Sequence, residues 1–451
     1  MRTGIGFMFS WMCLLAVAGW TPVVGESAQE DPLAGIQVLD LANAERIALK
    51  NNPSLAAAAE RVEQAKALVT QSRSSYWPQV AGSASYSSIW QDETSDVPGF
   101  SVSSPQEDYR VGVNATWLAF DGFSRKCSIL QAKYGEDIQV RALWEAERGI
   151  LSALASVYFG ALLASENIAI AEADEAFNLR QLEEAKLRRQ VGTGSLSDEL
   201  NFEVRVNSAR ANLISAREDN RLALAALGRL MGLEAGIVPK GVALAALKEP
   251  PAEAMGPTDG SSLIERAWGD RPDLLQVELL VKQAEAGVRN AKGDYYPEAA
   301  VSAGVEGNRE SSMGFEGEDF RETVSLSLSY DLFNGMRRKG RISEARATLR
   351  EAEKNLMAAK VNVASEVQEA LVNLEAAKEQ LDLQTANARL VEKNRDLVEK
   401  EYTAGQTSLV RLNEAQRDLL TAQARLAVAR VSRQQSWNAL QLATGAKPKR
   451  P

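Results

Sequence analysis

Two stretches alternate apolar and polar residues with period two. Tyr109, Val111, Val113, Ala115 and Trp117 are separated by Arg110, Gly112, Asn114 and Thr116. Val324, Leu326, Leu328, Tyr330 and Leu332 are separated by Ser325, Ser327, Ser329 and Asp331. Such alternation predicts strands with one apolar and one small polar face. Partner strands are expected at about Val80–Trp90 and Ala299–Asn308, across polar loops at Gln91–Gln106 and Arg309–Asp319. Elsewhere the period is helical. Phe123–Gln190 and Gly335–Thr403 contain no proline, and each approaches 70 residues, roughly 100 Å of helix at 1.5 Å per residue. In the second, a heptad seam runs Ile342, Leu349, Leu356, Val363, Ala370, Ala377, beside a row Ala345, Ala352, Ala359. This a/d spacing predicts coiled-coil packing, with alanine allowing close approach.

The chain repeats itself. Asn51-Asn52-Pro53-Ser54-Leu55 matches Asp270-Arg271-Pro272-Asp273-Leu274, and Tyr76-Trp77-Pro78 matches Tyr295-Tyr296-Pro297, both at an offset of 219. Phe120-Asp121-Gly122 matches Phe333-Asn334-Gly335, Gly192 matches Gly405, Ser195-Leu196 matches Ser408-Leu409 and Gly232 matches Gly445, all at 213. The six-residue difference falls between residues 78 and 120, where a loop can absorb it. The period is too long for a solenoid and reads as two copies of one module. Each copy predicts a helix (Leu39 to about Ser75; Ser262 to about Asp294), a strand pair and a long helical hairpin that turns at a glycine. The expected organisation is an export signal at 1–25, a first repeat at 26–232 with strands about 79–119 and hairpin about 123–231, and a linker at 233–260. A second repeat follows at 261–445, with strands about 298–333 and hairpin about 335–444, then a tail at 446–451.

The N-terminus bears on location. Arg2 precedes the short apolar run Ile5–Val17, and small residues follow toward Gly25 and Ala28, the pattern of a cleaved secretory signal. Met12 before Cys13 does not fit a lipidation site, so Cys127 is left as the sole mature cysteine and no intrachain disulfide is available. No later segment holds 18 consecutive apolar residues, which argues against a membrane-spanning helix but leaves a β-barrel open.

Composition removes other classes. With 51 Lys plus Arg against 60 Asp plus Glu, the net charge of −9 opposes nucleic-acid binding. Histidine is absent, which excludes imidazole catalysis and histidine-ligated metals. No nucleophile motif, phosphate loop or metal-ligand cluster is seen, so no catalytic residue, metal or cofactor is expected. A soluble periplasmic coiled-coil adaptor or scaffold would explain the long helices but not the strand pairs. Those runs of 9–12 residues are long enough to cross a bilayer when tilted, and Tyr76, Trp77, Trp117, Phe120, Tyr295, Tyr296, Tyr330 and Phe333 cluster at their ends. Four strands cannot close a barrel alone, and an open edge in lipid is forbidden. Three chains would supply twelve.

With the duplication, the Tyr-Trp-Pro and Tyr-Tyr-Pro corners, the Phe-Asp-Gly and Phe-Asn-Gly strand exits and two glycine tips, residues 38–446 resemble the TolC-type outer-membrane efflux protein family. The resemblance implies a mainly α fold with a small β part: a homotrimer whose helical hairpins form a periplasmic tunnel beneath a twelve-stranded barrel in outer-membrane lipid. It implies a duct fed by an inner-membrane pump of the RND or ABC type through a periplasmic adaptor, with no chemistry of its own. By position, Asp198 falls on the family's tip aspartate, Tyr402 on the tyrosine that bonds it and Glu414 on the second of two pore-constricting acids. Arg411 stands in place of the first acid, and Thr407 in place of a linking arginine. Arg411 is therefore expected to pair with Asp198 or Glu414 at a closed tip. The turns Val191-Gly192-Thr193 with Ser195, and Gly405 with Ser408, resemble the adaptor-docking tips.

Overall fold

A computed structural model of the protein describes residues 33, 36–94, 101–239, 241–246, 259–310 and 312–445. The expected signal at 1–25 and tail at 446–451 lie outside them. Of the separate unit Met1–Gln37 only residues 33, 36 and 37 are described, and every described helix and strand belongs to the unit from Val38 onward.

The elements run β1 Val38–Leu39, α1 Leu41–Asn51, α2 Pro53–Ser74, β2 Gln79–Thr94, β3 Ser101–Phe120, α3 Ser124–Gln190, α4 Leu196–Leu230 and β4 Ala243–Leu244. They continue with α5 Gly260–Asp270, α6 Pro272–Gly293, β5 Glu298–Glu310, β6 Phe320–Ser329, α7 Arg337–Thr403 and α8 Leu409–Ala443. The fold is mainly α with a small sheet. Helices recur in equal lengths: 11 residues in α1 and α5, 22 in α2 and α6, 67 in α3 and α7, 35 in α4 and α8.

The helix expected from Leu39 to Ser75 is two helices, and so is that from Ser262 to Asp294. Proline clashes with a helical residue before it. Asn52 and Arg271, which precede Pro53 and Pro272, accordingly take extended backbone at ψ 119° and 123°. Each break receives the C-terminus of the returning helix. The Asn52 side chain donates to the Leu230 carbonyl at 2.8 Å and accepts from the Ser54 amide at 2.9 Å. Gly232 lies so close that an added Cβ would stand 2.4 Å from the Asn51 carbonyl oxygen. At the second break the guanidinium of Arg271, 2% exposed, pairs with Asp273 at 2.6 Å and Glu366 at 2.5 Å. Burial opposes its charge, but the two carboxylates outweigh burial and raise its pKa. Burial would likewise raise Asp273, yet Arg271 holds it below the ordinary carboxylate value. A parallel β1–β4 pair is pinned by the Tyr158 hydroxyl, which donates to the Leu39 carbonyl at 3.0 Å.

α3 packs on α2, α6, α4 and α8, while α7 packs on α5, α6 and α8. The layer therefore runs α2–α3–α6–α7 toward the strands and α4–α3–α8–α7 toward the turns. On α7 the predicted seam faces inward: Val363, Ala370 and Ala377 are buried, and Ile342, Leu349 and Leu356 are half-buried. Among the described residues one helix, α3, also holds an 18-residue window apolar enough on average to cross a membrane, although polar residues interrupt it. A third of that window is buried inside the helical layer.

The strands form one antiparallel sheet in the order β2-β3-β5-β6. Its register puts Val80, Tyr86, Val113, Trp117, Leu326 and Leu328 on one face. Ser83, Ser85, Asn114, Ser302, Ser325 and Ser327 occupy the other. Both faces are open: Leu326 and Leu328 are 76% and 72% exposed on the first, and Asn114, Ser325 and Ser327 are exposed on the second. The first hairpin is longer than its polar sequence suggested, reaching Thr94↔Ser101, because backbone pairing continues once register is set, whatever the side chains. β6 instead stops at Ser329, short of the predicted Leu332.

Candidate functional site

The predicted site residues gather at the two helical turns, which are built alike. α3 ends where Gly192, at φ +77°, bonds back to the Arg189 carbonyl and Thr193 to that of Arg188 at 2.9 Å. α7 ends where Gly405, at φ +72°, bonds to the Tyr402 carbonyl and Gln406 to that of Glu401 at 2.8 Å. Glycine takes the left-handed conformation at little cost. The next helix begins with a hydroxyl cap each time: Ser195 Oγ accepts from the Asp198 amide at 3.1 Å, Ser408 Oγ from the Arg411 amide at 3.4 Å. Val191, Gly192, Thr193, Ser195, Gly405 and Ser408 are all exposed, and a Cβ added at either glycine would meet nothing within 4 Å.

Behind the turns an apolar cluster joins both hairpins. Phe177 and Leu182 of α3, Phe202 and Val206 of α4, Val398 of α7 and Leu412 of α8 are buried in it, with Tyr402 and Leu409 at its border. The Arg188 guanidinium lies over the Tyr402 ring at 5.1 Å. Burial raises the Tyr402 pKa, Asp198 and Glu184 add to the rise, and Arg188 opposes it, so the phenol stays neutral.

The structure brings Asp198 near Tyr402, but no hydrogen bond joins them among the described residues. Arg411 reaches Glu414 at 3.6 Å, one turn along α8, with both side chains more than half exposed. Such a pair contributes a few tenths of a kcal/mol. Among the described residues Arg411 makes no ion pair with Asp198, and Thr407 is half-buried in the turn without a side-chain hydrogen bond. No group of three or more metal-ligating side chains occurs among the described residues.

Sequence reasoning missed a polar seam that ties the hairpins together farther along. Gln416 of α8 donates to the Asp174 carboxylate of α3 at 2.9 Å, and Asn178 donates to the same oxygen at 3.1 Å. Gln181 donates to Glu399 of α7 at 3.2 Å, and Arg395 holds the other oxygen of Glu399 at 3.1 Å. Asp174, Asn178, Gln181 and Gln416 are buried. A groove of about 600 Å³ opens beside them, lined by Arg205 and Arg417 among others. Burial and the charge of Arg417 lower the Arg205 pKa, against the pull of Asp174. The signal was present: 174, 178 and 181 share one helical stripe, where polar residues interrupt an apolar face.

Comparison with known proteins gives a family match. The model of the family described as "Outer membrane efflux protein" matches residues 46–233 and 263–446. Outer membrane protein TolC of Vibrio cholerae is 24% identical over 393 residues, covering 85% of each chain. The alkaline protease secretion protein AprF of Pseudomonas aeruginosa is 23% identical over 392 residues, covering 85% of this chain and 78% of its own. Among solved structures, the Campylobacter jejuni CmeC outer membrane channel shares the fold with a TM-score of 0.75 and 19% identity, covering 91% of this chain and 87% of that one.

Proposed function

Taking as premise that this chain belongs to the outer membrane efflux protein family, we propose that three copies assemble into one continuous conduit. The protein is an outer-membrane exit duct for efflux or secretion. Relatives of this kind are channels and not soluble coiled-coil adaptors. In the assembly, the four strands of each copy join into a twelve-stranded barrel in outer-membrane lipid, and the helical layers close into a tunnel in the periplasm. The observation that carries this reading is the sheet. Its faces are apolar and polar, both uncovered, and β2 and β6 each keep an unpaired edge among the described residues. A closed barrel resolves all three features, with lipid outside, water inside and no edge.

At the far end the turns Val191-Gly192-Thr193 with Ser195, and Gly405 with Ser408, dock a periplasmic adaptor that links the duct to an inner-membrane pump. Asp198, Tyr402, Thr407, Arg411 and Glu414 form the constriction there. Residues 1–25 direct export and are removed. The duct needs no cofactor and does no covalent chemistry. Detergent-extracted protein should run as a trimer by light scattering and conduct ions in planar bilayers. A monomer recovered from aqueous extracts without detergent would refute the reading.

A further inference from the structure

We propose that the groove between α4 and α8 binds a small organic acid, with its carboxylate held between Arg205 and Arg417. The groove opens over α3 within a single chain, so the inference goes beyond the assembly proposed above and does not depend on it. Asp174 and Asn178 of α3 form the floor. The volume of about 600 Å³ falls in the range of small-molecule sites, roughly 300–1,000 Å³. Leu200 and Val204, 51% and 65% exposed, line the α4 side and offer an apolar surface to the body of the ligand.

The charges lining the groove are Arg205, Arg417 and Asp174. Arg205 donates through Nε to Asn201 at 3.1 Å, and its terminal nitrogens have no partner among the described residues. The Arg417 side chain makes no hydrogen bond or ion pair among them. Asp174 pairs with neither arginine, because the amides of Asn178 and Gln416 occupy its Oδ1. Other arginines of α4 do find acids on α3: Arg210 reaches Glu175 at 2.9 Å and Arg217 reaches Glu172 at 3.0 Å. A chain of net charge −9 thus leaves two guanidiniums at one groove without a carboxylate of their own. Two positive charges against one negative suit a monoanion, and a guanidinium fork matches the two oxygens of a carboxylate.

Two further observations point to a ligand. Asn413 of α8 lines the groove, is 7% exposed, and its side chain hydrogen-bonds to nothing among the described residues. A buried amide without a partner is costly, and a bound carboxylate would accept from it. The internal repeat then supplies a control. At the offset of 213, Asn387 stands where Asp174 does, Asp418 where Arg205 does, Leu200 where Asn413 does and Val204 where Arg417 does. The hairpin forms twice, so its folding does not call for this set of residues.

Benzoate is the probe, with benzamide as its uncharged counterpart of the same shape. Titrated into the full chain in a non-ionic detergent, against a blank of empty micelles, benzoate should bind saturably by ligand-observed NMR. Benzamide should bind about tenfold more weakly, because hydrogen bonds to a charged group are the stronger ones. Arg205→Gln and Arg417→Gln should each weaken benzoate about tenfold, whereas Arg210→Gln, outside the groove, should leave its affinity unchanged. Arg417 is exposed, so Arg417→Gln should keep helix content and melting midpoint and decides the matter if Arg205→Gln folds poorly. Asn413→Leu, which installs the residue found in the other repeat, should weaken benzoate and keep the midpoint. No saturable binding to the wild type, equal affinity for benzamide, or full affinity in Arg417→Gln overturns the site. Any of these in a protein that still conducts ions leaves the duct reading intact.

Discussion

The clasp at Arg271 gives a measurable energy. Arg271→Leu keeps an apolar body in a site that is 2% exposed but leaves Asp273 and Glu366 without their cation. Removing one partner of a fully buried pair costs roughly 3–5 kcal/mol. Here the orphaned carboxylates remain 35% and 54% exposed, so water recovers part of that loss. A cost of about 2 kcal/mol follows, read as a lower thermal midpoint by far-UV circular dichroism of the detergent-solubilised protein. The sign of the pH dependence is fixed by Asp273. Its folded pKa is depressed, so its contribution is present above the ordinary value of 3.8 and fades as pH falls below it. The wild type should therefore lose its advantage over Arg271→Leu only in strong acid. Adding Asp273→Asn and Glu366→Gln to Arg271→Leu should restore most of the midpoint, because the uncompensated charges are gone. If the single variant melts like wild type, or the triple variant is no better than the single, the charge account is wrong.

Gly232→Ala should destabilise by about 2 kcal/mol or more, since the new Cβ meets the Asn51 carbonyl at 2.4 Å in a left-handed backbone; an unchanged melting midpoint would refute the packing. Gly192→Val has open space but a left-handed backbone at φ +77°, so it should lower stability by about 1–2 kcal/mol while leaving trimers intact and abolishing export; loss of trimers would show a folding role instead. Arg411→Ala and Glu414→Gln should each leave stability within about 0.5 kcal/mol yet alter pore conductance or cation preference, and unchanged conductance in both would remove them from the gate. Burial pushes the Tyr158 phenol to about 12, aided by Asp40 and opposed by its bond to Ala245. Its folded pKa is raised, so its stabilisation is full below pH 10 and lost toward 12; Tyr158→Phe should flatten that alkaline decline in melting midpoint, and an unaltered decline would refute the assignment.

The strands were legible because period-two alternation in Tyr109–Trp117 and Val324–Leu332 needs no tertiary information. The long helices were legible because proline is absent and a heptad row persists. The two prolines that split the first helix of each repeat were also in plain view, and the rule about the preceding residue places both breaks. Strand order was not legible: alternation at Val113 and Val305 does not say that those residues face each other, since pairing across 192 positions is decided by the helices that deliver the strands. The tip residues could be placed on the turns but not joined, because the hydrogen bond expected between Asp198 and Tyr402 depends on side-chain angles that the sequence does not encode. The seam from Asp174 to Gln416 spans 242 residues and appears only when α3 and α8 lie side by side.

The matched lengths of α3 and α7 restrict how this chain can vary. Both helices lean on α6 and α8, and inserting one residue in either would rotate everything beyond it by about 100° against unchanged neighbours. Lineages of this protein should therefore gain or lose residues outside the rods, and the tolerated place is already marked: the six-residue surplus of the first half falls in its β-hairpin. If three copies assemble as proposed, longer and shorter hairpins would alternate around the rim of the barrel. Antibodies or phage seeking a landmark would find three of them rather than six.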